Sequence, residues 1–92
     1  MYAPEIPMVG QVAISRKGHD AQRTYLIVAV LSSEFVLCVD GKYRTAENPK
    51  TKRYKHLKVV GESADAVAAL AAGTLTDANV RKICAEYREQ GK

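Results

Sequence analysis

Seven basic side chains, Lys42, Arg44, Lys50, Lys52, Arg53, Lys55 and Lys58, fall within seventeen residues and are opposed only by Glu47. Cations at that density neutralise phosphates and release the counterions condensed on a polyanion. The same run would also serve as a solvated loop that keeps the chain soluble, so its neighbours decide its meaning. Tyr43 and Tyr54 stand within it. Each ring could stack on an unpaired base or, turned inward by strand alternation, fill the edge of a core. Asn48-Pro49 is a turn device whose asparagine amide can also reach a phosphate or a base edge. A second basic group, Arg16, Lys17, His19 and Arg23, surrounds Gly18.

The formal charge of the 92-residue chain is +4, and it is unevenly placed. From Gly10 to Lys58, ten Lys or Arg face Asp20, Glu34, Asp40 and Glu47, a net of +6; from Val59 to Lys92, four bases face five acids, a net of −1. A basic body with a near-neutral tail is the asymmetry of a surface that meets a polyanion.

Catalysis would need a nucleophile beside a base, paired carboxylates or a metal set. None of these is visible, and we expect no enzyme, no metal and no cofactor. His19, His56, Cys38 and Cys84 do not fall at the short paired spacings of zinc sites. Gly18 and Gly41 are isolated in β-rich sequence rather than part of a phosphate-binding loop. His56, between Lys55 and Leu57, reads as a partly buried strand residue.

The elements that must position these residues follow from the hydrophobic pattern. Residues 1–9, with Pro4 and Pro7, read as a loose lead-in. From Gly10, Val12 and Ile14 fall on one face and Gln11, Ala13 and Ser15 on the other, the period of a half-buried strand. Thr24 to Leu31 is nearly all apolar and suits a central strand buried on both faces. Phe35 to Val39 is a third strand. Asp40-Gly41 predicts a two-residue hairpin turn with Lys42 to Thr45 returning antiparallel. Ala46 to Arg53 then forms an exposed loop, and Arg53 to Val60 a fifth strand.

Five short strands with tight turns predict a mainly β domain, a small SH3-like barrel over residues 10–60, because closure hides the edges of so short a sheet. Residues 61–92 form a helical extension of one or two helices. Ser63 is its candidate N-cap and Gly73 its terminator, and a helix restarts after Thr76. Val80, Ile83, Cys84 and Tyr87 make an apolar stripe that must cover something. The two cysteines read as reduced core residues. The longest apolar run, Leu26 to Leu31, is far short of a membrane span, and the N-terminus has no signal pattern, so a cytoplasmic location is expected.

The stretch from GQVAISRKGHDAQRTYLIVAV through FVLCVDGKYRTAENPKTKRYKHL resembles bacterial KOW-motif RNA-binding proteins related to archaeal and eukaryotic large-subunit ribosomal proteins. The features that carry it are Gly10-x-Val12, the basic turn with Gly18 and Asp20, the apolar strand to Val30, Asp40-Gly41, and Asn48-Pro49-Lys50 followed by Lys55-His56-Leu57. The resemblance implies an SH3-like barrel whose loops contact RNA, often ribosomal RNA. It implies Arg16, Lys17, Arg23, Arg44, Asn48, Lys50, Lys52, Arg53, Lys55 and His56 as contacts; Lys42 joins them by its place in the basic run. The first turn departs from the family, with Ala21-Gln22 where a glycine is usual.

The expected function is therefore a non-catalytic RNA-binding module, ribosome- or rRNA-associated. The alternative is a protein-interaction barrel whose Val80 to Tyr87 stripe docks a partner or a second copy. DNA binding has less support, since no recognition-helix pattern is present.

Overall fold

The computed structural model describes residues 6–16 and 23–88. Lys17, Gly18, His19 and Ala21-Gln22, read above as part of a basic turn, lie outside the described residues. Five strands, β1 (Gln11–Ser15), β2 (Thr24–Val30), β3 (Phe35–Val39), β4 (Lys50–Arg53) and β5 (Leu57–Glu62), precede two helices, α1 (Ala64–Ala72) and α2 (Asp77–Arg88). The strands form one antiparallel sheet in the order β4-β3-β2-β1-β5.

β4 and β5 are opposite edges of this sheet, yet only the 3₁₀ turn Tyr54–His56 separates them. Four flat strand spacings would span roughly 19 Å, and three residues of 3₁₀ helix rise only about 6 Å. The sheet must therefore roll strongly. Register shifts at Val12/Ala13 and at Ile27/Ala29 assist it, since a bulge bends a strand and raises its twist. Among the described residues the ladders end at β4 on one side and β5 on the other. The observed architecture is a rolled five-stranded sheet followed by two helices.

Rolling gives the sheet two buried faces. Val12, Leu26 and Val39 on one face pack with Ala66 of α1 and with Val80, Ile83 and Cys84 of α2. Ala13, Tyr25, Ile27, Val36, Cys38 and Leu57 pack on the other, where Tyr54 and Val59 join them. The amphipathic stripe of α2 thus covers the sheet of its own chain. Tyr87 completes it, donating its hydroxyl to the Glu62 carbonyl at 2.9 Å while its ring occupies the space a side chain at Gly61 would need. Cys38 and Cys84 are buried on opposite faces of the sheet, so they share neither a disulfide nor a ligand set.

Three expectations need correction. β1 is buried along its whole length rather than half-buried, because it lies between β2 and β5 with a core on each side. Gln11, with no exposed surface, accepts the Met8 N–H and the Tyr54 hydroxyl at its Oε1 and donates Nε2 to the Ile6 carbonyl. Those bonds also tie down residues 6–8 of the lead-in, where Pro7 is buried. The third correction concerns the segment after β3. Lys42 to Thr45 is not a strand, and Asp40-Gly41 is not a two-residue hairpin turn. Asp40 Oδ1 accepts the N–H groups of Lys42, Tyr43 and Arg44 at 2.9, 2.9 and 2.8 Å, which removes the donors a ladder would use. The return strand is β4, inside the segment expected to be a loop, reached through a turn in which Thr45 and Asn48 pair.

The caps match expectation. Ser63 Oγ accepts the Ala66 N–H at 3.1 Å, and Gly73 ends α1 at φ +70°. Thr76 Oγ1 accepts the Asn79 N–H at 3.1 Å at the start of α2. Among the described residues no helix is long and apolar enough to cross a membrane.

Candidate nucleic-acid interface

The loop from Asp40 to Arg44 is built around one carboxylate. Besides the three N–H groups held by Oδ1, the Arg44 carbonyl accepts the N–H groups of Asp40 and Gly41, both at 3.0 Å. Gly41 sits at φ +80° beneath the start of α2, and a Cβ there would lie 2.5 Å from the Asp77 carbonyl oxygen and 2.8 Å from Arg81 Cγ. Only glycine meets both demands. The loop therefore presents Lys42 and Tyr43 outward from a fixed base.

Tyr43 is 61% exposed, the most open aromatic ring among the described residues that pack near a cation. The Arg23 guanidinium lies over it at 4.6 Å from the ring centroid and Lys42 Nζ at 5.1 Å, both within cation–π reach. Backbone bonds continue this group along the sheet. The Arg23 carbonyl accepts the Ser15 N–H, and the next residue, Arg16, donates its N–H to the His56 carbonyl, each at 2.9 Å. Arg16, Arg23, Lys42, Tyr43 and His56 accordingly lie along one rim, whereas Lys55 lines a separate hollow with Ser33, Glu34, Arg53 and Tyr54. Arg16, Lys42 and Lys55 are exposed, while Arg23 and His56 are half-buried.

The rest of the basic run is divided by strand alternation. Lys50 and Lys52 pair with Cys38 and Val36 and share their face, beside the second core cluster, where both are half-buried. Arg53 pairs with Phe35 on the opposite face, its guanidinium 5.0 Å from the ring centroid. Arg44 is half-buried in its loop and Asn48 is exposed in the following turn. The two tyrosines also differ: Tyr54 packs against the inner core with its hydroxyl on Gln11 Oε1 at 3.1 Å, whereas Tyr43 presents its ring to solvent.

No protein-family model matches the chain, and no curated protein sequence matches it at a significant level. Two residues that the sequence does not single out for the site belong to the same region. Arg81 of α2 donates Nη1 to the Gly41 carbonyl, and with Arg23, Thr24, Asp40, Lys42 and Tyr43 it lines a cavity of about 360 Å³. The available signal for Arg81 was its place one residue after Val80, on the border of the apolar stripe. Its helix carries little net charge, which hid a cation that tertiary packing brings to the loop. Thr24 looked like any strand threonine.

Chemically, three cations against the single carboxylate of Asp40, with an open ring beside them, suit a phosphate-bearing partner with an accessible base. The exposed cations along the rim add sequence-independent attraction for a polyanion.

Proposed function

We propose that the chain is a non-catalytic RNA-binding module that works in the cytoplasm, associated with ribosomal or other structured RNA. The observation that carries this reading is the exposed Tyr43 ring with Arg23 and Lys42 over it. Stacking on an aromatic ring needs an unpaired base, which structured RNA offers in loops and bulges. The rim cations supply the phosphate contacts, with Arg16, Arg23 and Lys42 as the leading set and Lys50, Lys52, Arg53 and Lys55 in secondary positions. The resemblance to KOW-motif proteins supports the same assignment, and two buried cysteines outside any disulfide suit a reducing compartment. The competing reading, a protein-interaction barrel, relied on an α2 stripe that is occupied by the chain's own sheet.

A gel-shift titration of the full chain against a structured RNA tests the proposal. With about four phosphates contacted, affinity should fall roughly a hundredfold between 50 and 200 mM salt. Flat salt dependence, or no binding at 50 mM, contradicts it.

A further inference from the structure

Thr24 contributes a feature that surface attraction for RNA does not use. It is 1% exposed, and its buried Oγ1 has no hydrogen-bond partner among the described residues. A buried hydroxyl in that state destabilises the fold, and natural chains seldom keep one without a use for it. Thr24 lines the cavity between β2, the Asp40–Arg44 loop and α2, whose volume of about 360 Å³ lies at the small end of ligand sites.

We propose that this cavity binds the phosphate of a nucleotide, with Thr24 Oγ1 donating to a phosphate oxygen, Arg81 and Lys42 supplying positive charge, and Tyr43 receiving the base. The assignment deepens the RNA-binding reading, on which its choice of a phosphate within an RNA strand rests. Three observations converge on it. The Arg81 guanidinium is held by the Gly41 carbonyl, so its position is fixed by the docking of α2. The Asp40 carboxylate, which would repel an anion, is engaged by three backbone amides and is outnumbered by Arg23, Lys42 and Arg81. Tyr43, beside the same cavity, has the exposed ring that a base adjoining the phosphate would cover. Thr24 Oγ1 has no accessible surface with the wall as it stands, so the phosphate reaches it when Lys42 and Tyr43, whose exposed side chains form part of that wall, move aside.

Calorimetric titration of the full chain with adenosine 5′-monophosphate, with adenosine, and with a short single-stranded oligoribonucleotide tests the site, using wild type, Thr24→Val and Arg81→Gln. Thr24→Val keeps the shape and removes the orphan hydroxyl. It should hold or raise the melting temperature while weakening binding about tenfold. Arg81→Gln should weaken binding to a similar degree and lower the salt slope for the oligonucleotide by about 0.7. These losses seen with the oligonucleotide alone place the phosphate in a strand; the same losses with the monophosphate place it in a free nucleotide, and either result supports the cavity. Unchanged affinities in both variants overturn it, as do a loss of stability in Thr24→Val, adenosine binding as tightly as its monophosphate, or no saturable binding of any probe to wild type. Monophosphate binding without RNA binding at 50 mM salt would sink the RNA-binding reading while leaving the cavity assigned.

Discussion

Asp40 Oδ1 accepts N–H groups from three consecutive residues, Lys42, Tyr43 and Arg44, and Asp40 itself is only 8% exposed. Hydrogen bonds to a charged acceptor are the stronger kind, and truncating it leaves several donors stranded at once. Asp40→Ala should therefore lower the unfolding free energy in urea by about 2–3 kcal/mol, with Asp40→Asn, which retains one acceptor oxygen, losing less. The same contacts explain why Asp40-Gly41 misleads when read locally. The dipeptide suits a two-residue turn, but here the aspartate side chain closes a wider loop and glycine is required by the helix above it. That competition between a side chain and a ladder for the same backbone donors is invisible without the packing of α2. Tyr43 and Tyr54 show a related limit. Their residue type and spacing are equivalent in sequence, and only the rolled sheet separates the ring that enters the inner core from the ring that stays outside.

At the scale of elements, the strand cores, both helix starts and the Gly73 stop were legible because each depends on neighbours in sequence: apolar periodicity, a capping hydroxyl, a left-handed terminator. β4 was not legible. Lys50-Thr51-Lys52-Arg53 carries no apolar residue, since an edge strand can direct long cations past a core instead of burying a hydrophobe. Reading that segment as a loop placed its bases on one surface, whereas pairing with β3 sends alternate residues to opposite faces. The candidate interface accordingly contracted onto the rim at Arg16, Arg23 and the Asp40–Arg44 loop. The docking of α2 on that loop is testable. Gly41→Ala places a methyl group against the Asp77 carbonyl and Arg81 at a positive φ, and it should destabilise the fold by about 1–3 kcal/mol in thermal or urea denaturation. A fully stable Gly41→Ala chain would mean that α2 does not sit on the loop as described.

The whole molecule is one sheet with a core on each face, and its helices are part of the fold. Among the described residues, Val12, Leu26 and Val39 are covered by Ala66 of α1, by Val80, Ile83 and Cys84 of α2, and by Leu75 between the two helices. A chain ending at Glu62 would expose that face and should lose cooperative unfolding and bind a hydrophobic dye. The net charge of the basic half, which the order of residues makes plain, acts at this scale too: it sets the attraction for a polyanion but not the point of contact. Fluorescence anisotropy with a labelled hairpin RNA bearing an unpaired loop, at one fixed low salt concentration, compares wild type with Tyr43→Ala. Tyr43 is exposed, so the variant should fold normally, and loss of one stacked base should weaken binding by about 1–3 kcal/mol. Equal affinity of a folded Tyr43→Ala chain and the wild type would contradict the placement of RNA on this rim.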